Sequence, residues 1–241
     1  MKLKPILVIL AAVCIVILGA MLPRLVALRQ DRQSEGQVQF SSVEGVELEF
    51  TRSDISRSEA LAILARSRDV VEIPPELANL SQEKLEQIAR ATVRNYHEAG
   101  ILLSDPGEDR LIHSQPLLYY GMNGQSNVLW LVTYGDEGTF HLFTFIVDDR
   151  TGAVCSAEYL DGTSEYEPDR MEAVLGGFCR VYLTGLGDEF SGWSVEELTR
   201  SAKSPQDKSY LATELSWTDP LYGENRITFF VNRSGFYTYF G

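Results

Sequence analysis

Between Lys4 and Arg24 the chain carries no charged or strongly polar side chain, and Pro5–Pro23 is almost entirely Ile, Leu, Val and Ala. As a helix such a run reaches roughly 28 Å at about 1.5 Å per residue, close to the thickness of a bilayer's hydrocarbon core. A helix buried in a globular domain keeps a polar side, and this run has none. An uncleaved single-pass membrane anchor is therefore expected. A cleaved secretory signal competes, since Lys2 and Lys4 give a basic start. Its small-x-small exits fail, however, because Leu18 precedes Ala20 and Leu25 precedes Ala27. Lipidation would need Cys14, which sits in mid-run behind a poor motif and reads as a small apolar residue in lipid.

The chain then divides into a tip and anchor at 1–29, a polar tether at 30–36 and a folded domain at 37–241. Basic residues are almost balanced across the apolar run, with Lys2 and Lys4 before it and Arg24, Arg29 and Arg32 after it. The short basic head favours a cytoplasmic N-terminus and an extracytoplasmic domain at the cell membrane. Residues 1–35 hold five basic and two acidic side chains, so the whole-chain charge of −13 leaves −16 on residues 36–241. That surface repels phosphate backbones, which excludes nucleic acid as a partner. The expected partners are the lipid bilayer, through the N-terminal helix, and another envelope protein or peptide. No run has the Asp spacing of a calcium loop, and no metal or other cofactor is expected.

Hydrophobic patterning beyond the tether predicts an α+β domain, an antiparallel sheet with packed helices. Val38–Phe40 and Val46–Phe50 alternate as a short edge hairpin. Ser56 with Glu59 is a capping-box pair for a helix over Ser56–Ser67, and Ser81 caps a longer helix that Gly100 stops. Strands are expected near Leu111–Met122, Asn127–Tyr134, Thr139–Val147 and Ala153–Leu160. A helix fits Asp169–Thr184 and a shorter one begins at Ser194; strands follow at Ser209–Trp217, Arg226–Val231 and Phe236–Phe240. The stretch Thr144–Gly152 is echoed by Thr228–Gly235, which suggests two helix-plus-meander repeats, at 81–160 and 167–241. Convergent turn chemistry explains the echo as well, because Asp, Asn and Gly suit such turns whatever their ancestry. Cys155 and Cys179 are read either as a pair in an oxidising compartment or as free buried thiols.

Phe143–Val154 resembles the last hairpin of PepSY-type bacterial envelope domains, whose turn follows D-x-x-T-G-x-V; Asp148, Thr151, Gly152 and Val154 fall on that pattern. The second hairpin keeps Asn232, Ser234 and Gly235 but has Tyr237 in place of the valine. The resemblance covers about a quarter of the chain. It implies a non-enzymatic module, in some cases linked to the restraint of peptidases, and carries over no catalytic residue.

The residues that could do chemistry form no motif. His97 lies late on the Ser81 helix and reads as a solvated cation near its negative end. His113 and His141 fall on expected strands, where packing explains them; an envelope hydrolase using the two with acidic neighbours is the alternative to a binding or regulatory module, and a purely structural spacer is the third reading. Ser191–Ser194 lacks the frame of a nucleophile elbow, and Gly176-Gly177 reads as close helix packing. Glu165, Glu167, Asp169 and Glu172 gather around a helix start, where the dipole accounts for them. Tyr119, Tyr120, Trp130 and Tyr134 are candidate groove aromatics, with sheet core as the plainer reading. No catalytic, cofactor-binding or metal-binding residue is assigned.

Overall fold

The computed structural model describes residues 55–241 apart from 68, 108, 122–124, 137, 139, 191 and 206–208. Every described residue lies in the compact unit Phe50–Gly241. The expected anchor, tether and first hairpin lie outside the described residues.

Helix α1 (Arg57–Arg66) starts at Ser56, whose hydroxyl accepts the Glu59 N–H at 3.1 Å. Only half of the capping box forms: the Glu59 carboxylate instead accepts the Gln125 side-chain amide at 2.6 Å. Strand β1 (Val70–Glu72) follows, then α2 (Gln82–Glu98), capped by Ser81 and ended just before Gly100, which holds φ +67. Leu85, Ala89, Val93 and Tyr96 form its buried stripe. Next come β2 (Arg110–Tyr120), β3 (Ser126–Asp136), β4 (His141–Asp148) and β5 (Val154–Asp161). Then α3 (Met171–Leu186) and α4 (Val195–Arg200) lead into β6 (Tyr210–Asp219), β7 (Gly223–Asn232) and β8 (Gly235–Phe240).

All eight strands join one antiparallel sheet in the order β1-β2-β3-β4-β5-β8-β7-β6. This corrects the fold expected from sequence, an α+β domain behind a membrane-spanning helix. The described chain is mostly an eight-stranded antiparallel sheet with a few helices, and no helix among the described residues is long and apolar enough to cross a membrane. The two meanders also share one sheet, because a three-stranded meander ending at β8 would leave a row of unpaired backbone groups, and β5 satisfies them.

Strand ends carry a repeated device. β3, β4, β5, β6 and β7 each finish on an Asp or Asn whose Oδ1 accepts the backbone N–H two residues on: Asp136 from Gly138, Asp148 from Arg150, Asp161 from Thr163, Asp219 from Leu221, and Asn232 from Ser234, all at 2.8–2.9 Å. Asp148 also takes the Thr151 N–H at 2.7 Å and its hydroxyl at 3.0 Å. Gly152 closes that turn with φ +71. Local hydrogen bonding thus accounts for the D-x-x-T-G turn residue by residue.

Helices α2 and α3 lie on one face of the sheet and share an aromatic core with it. The Tyr96 ring of α2 stands 5.1 Å from Phe236 of β8 and 6.0 Å from Phe178 of α3, and Phe178 is 4.4 Å from Phe236. The sheet curls around them until its ends meet through α1, which packs on β2 and β3 and also on β6 and β7. At this seam the Tyr222 hydroxyl donates to Gln125 Oε1 at 2.8 Å and Arg66 Nε donates to Asn225 at 2.9 Å. No helix among the described residues packs on the outer face. There Phe230 stacks on Tyr237 at 4.9 Å, with Tyr210 6.0 Å from Phe230.

Candidate functional site

The residue pattern of α2 places Arg90, Arg94 and His97 at offsets of four and seven, on the side of the helix next to its buried stripe. Facing them is the loop from Gly100 to Asp109. Between the two lies a cleft of about 600 Å³ lined by those three residues with Val93, Asp105, Pro106, Gly107, Asp109 and Tyr134. Its size falls in the range of small-molecule and peptide sites.

The loop wall is fixed at both ends. At the first end Arg170 donates to the Gly100 carbonyl at 2.8 Å, Tyr166 donates to the Ile101 carbonyl, and the Leu103 N–H reaches the Tyr159 hydroxyl at 3.3 Å. The Ser104 hydroxyl donates to Asp161 Oδ2 at 2.7 Å. Burial pushes the Asp161 carboxyl up, but hydrogen bonds from Ser104, from the Thr163 N–H and hydroxyl, and from Tyr159 outweigh it and bring its pKa down to about 2. At the far end the Tyr134 hydroxyl donates to the Asp109 carbonyl at 3.0 Å, and the Asp109 carboxylate lies 3.1 Å from His141 Nδ1.

Asp109 and His141 have side chains only 4 % and 5 % exposed, which makes them a buried pair behind the cleft. The imidazole stands edge-on to Phe143 and Tyr159, with centroids at 5.1 and 5.2 Å, and its Nε2 has no hydrogen-bond partner. A general base in that position needs a nucleophile or a water path at Nε2. Aromatic rings surround it instead.

In the cleft, His97 Nε2 lies 2.9 Å from Asp105 Oδ1, in an exposed pair. The Tyr134 hydroxyl beside the Arg90 guanidinium raises its pKa, and the Glu86 carboxylate, paired with it at 2.6 Å, adds to this. Arg94 has no hydrogen bond or ion pair among the described residues.

The expected candidates end up apart. His113 is exposed on β2, opposite Thr133, whereas His141 sits on β4 on the buried face, with β3 between them. His97 is on the surface, as read from sequence, but it also lines the cleft. Tyr134 belongs to the cleft, Trp130 and Tyr119 are buried, and Tyr120 is exposed. Asp105 and Asp109 carried no sequence signal, since only the fold of the loop brings them to α2. The spacing of Arg90, Arg94 and His97 is legible in the sequence as one helix face. Ser194 caps α4 by accepting the Glu197 N–H. A side chain at Gly177 would run into Ile101, so that glycine reflects close packing. Glu165 pairs with Arg233 at 3.8 Å.

Cys155 and Cys179 are free and buried. Burial pushes the Cys179 thiol up to about 12 and the Cys155 thiol higher still, so both behave as inert core groups. Among the described residues no group of three or more His, Cys, Asp or Glu is placed to hold a metal ion.

Comparison with family models, with curated proteins and with solved structures finds no match to this chain.

Proposed function

We propose that this chain is a non-catalytic binding or regulatory module of a bacterial envelope, and that its binding site is the cleft between α2 and the 100–109 loop. The observation that carries this reading is the separation of functions at the cleft. Its accessible charged groups are Arg90, Arg94, His97 and Asp105, suited to holding a ligand. In the carboxylate–imidazole pair behind them, the buried Nε2 has no hydrogen-bond partner among the described residues, and Phe143 and Tyr159 stand edge-on to the ring. The loop is braced for position, with hydrogen bonds at both ends. The uncharged apolar stretch 5–23 supports a location at the cell membrane, with the domain on its extracytoplasmic side.

Photo-crosslinking in the native membrane tests the site. A photoreactive side chain at Pro106, on the lip of the cleft, is expected to give an adduct that the same group at Arg180, in the separate hollow between α3 and α4, does not. Identical products from the two positions, or none from Pro106, would remove the cleft from consideration. A hydrolytic activity that disappears in a folded His141→Gln variant would overturn the non-catalytic part and favour the hydrolase reading.

A further inference from the structure

We infer that the ligand of this cleft presents a carboxylate, and that Arg94 receives it with Arg90 alongside. The inference rests on the reading of the cleft as a binding site and adds the chemical class of what it holds.

The case begins with charge. Residues 36–241 carry −16, yet the helical wall of the cleft presents three basic side chains on one face and no acidic one. Glu86 satisfies one edge of Arg90, and Asp105 engages His97. Arg94, which lines the cleft, has no hydrogen bond or ion pair among the described residues. A guanidinium matches a carboxylate through two parallel N–H···O bonds, a geometry that a lone ammonium does not offer.

Two features favour a carboxylate over a phosphate dianion. Arg90 and Arg94 sit in the middle and later turns of α2, away from the free backbone N–H groups of a helix N-terminus that hold phosphate. The opposite wall also carries the Asp105 carboxylate, which penalises a second negative charge. Pro106 adds apolar surface beside the arginines, which suits the residue next to a peptide's C-terminal carboxylate.

The probes are N-acetyl-Ala-Phe with a free carboxylate, the same dipeptide as its C-terminal amide, and inorganic phosphate. Each is titrated into the full chain while the arginine side-chain Nε resonances are followed by NMR. The free acid is expected to shift the Arg94 and Arg90 signals saturably and to bind at least tenfold more tightly than the amide, with phosphate no better than the amide. Arg94→Gln should weaken the acid about tenfold; Arg94 is exposed, so its loss leaves the fold intact. Arg180→Gln should change nothing. Equal binding of acid and amide, tighter binding of phosphate, or no shift of Arg94 with any probe each overturns the inference. The cleft itself is judged separately by the Pro106 crosslink, so a wrong ligand class and a wrong site give different results.

Discussion

Asp149 does more than any other single side chain to position the α2 wall. It is 3 % exposed, and its carboxylate accepts the Asn79 and Leu80 N–H groups at 2.8–2.9 Å and the Trp130 indole N–H at 2.8 Å. It thereby fixes the chain just before Ser81, where α2 begins. Replacing it by Ala leaves the buried Trp130 indole N–H unsatisfied and releases two half-buried backbone N–H groups, and Asp149→Ala is expected to cost about 2 kcal/mol in urea unfolding; a loss below about 1 kcal/mol would mean the segment is held otherwise. Asp161 gives a pH signature. Its folded pKa of about 2 lies below the ordinary 3.8, so its contribution is fully present above pH 4 and is lost as pH falls from about 4 to 2. The shift corresponds to about 2 kcal/mol. Wild type should therefore lose more stability than Asp161→Asn over that interval, and parallel acid profiles would contradict this. In the sequence Asp149 reads only as part of the Thr144–Gly152 turn, and Asp161 carries no reading of its own. Their long-range partners Asn79, Trp130 and Ser104 lie 19 to 70 residues away, and no local pattern points to them.

The elements themselves were largely legible, because capping and alternation are local. Ser56, Ser81 and Ser194 start their helices, and the meander strands fall within a few residues of the expected spans. β1 was missed: three residues are too few to show a period, and it exists only because β2 offers an edge. Two glycines that look alike in the paired hairpins do different work. Gly152 holds φ +71, and a Cβ there would meet Ile88 at 3.1 Å, so Gly152→Val is expected to cost about 1–3 kcal/mol. Gly235 has no such backbone demand; a Cβ there would overlap the Tyr159 carbonyl oxygen of β5. That pairing is one of only three between β5 and β8, after which the Thr238 hydroxyl takes over by accepting the Ala157 N–H at 3.1 Å. Gly235→Ala should consequently lower the melting temperature more than Ala does at Gly192, which has open space around it. Equal thermal melts would show that the joint yields readily.

At the scale of the molecule, the question is whether the two meanders fold as separate repeats or as one body. The echo between Thr144–Gly152 and Thr228–Gly235 suggested repeats, and the turn chemistry that produces it is indeed local. Cooperativity is set elsewhere. Phe178 of α3 packs on Phe236, Phe236 on Tyr159, and Tyr159 on Phe143, so one aromatic run crosses the β5–β8 joint. The seam at α1 ties the outer ends together through Arg66 to Asn225 and Tyr222 to Gln125. Neither link is visible in sequence, because each joins residues more than 75 positions apart. A body linked at its middle and at both ends should unfold in one transition. The indoles allow a direct check, since Trp130 lies on β3 and Trp217 on β6. One variant keeps only Trp130, with Phe at 193 and 217, and the other keeps only Trp217, with Phe at 130 and 193. In each, the urea midpoint by fluorescence is expected to coincide with that variant's own far-ultraviolet circular dichroism midpoint. If Trp130 and Trp217 each reported a midpoint displaced from the dichroism, in opposite directions, the halves would be melting separately. The cleft, whose α2 and loop belong to the first half while its Tyr166 and Arg170 braces come from the start of the second, would then be expected to loosen before the core does.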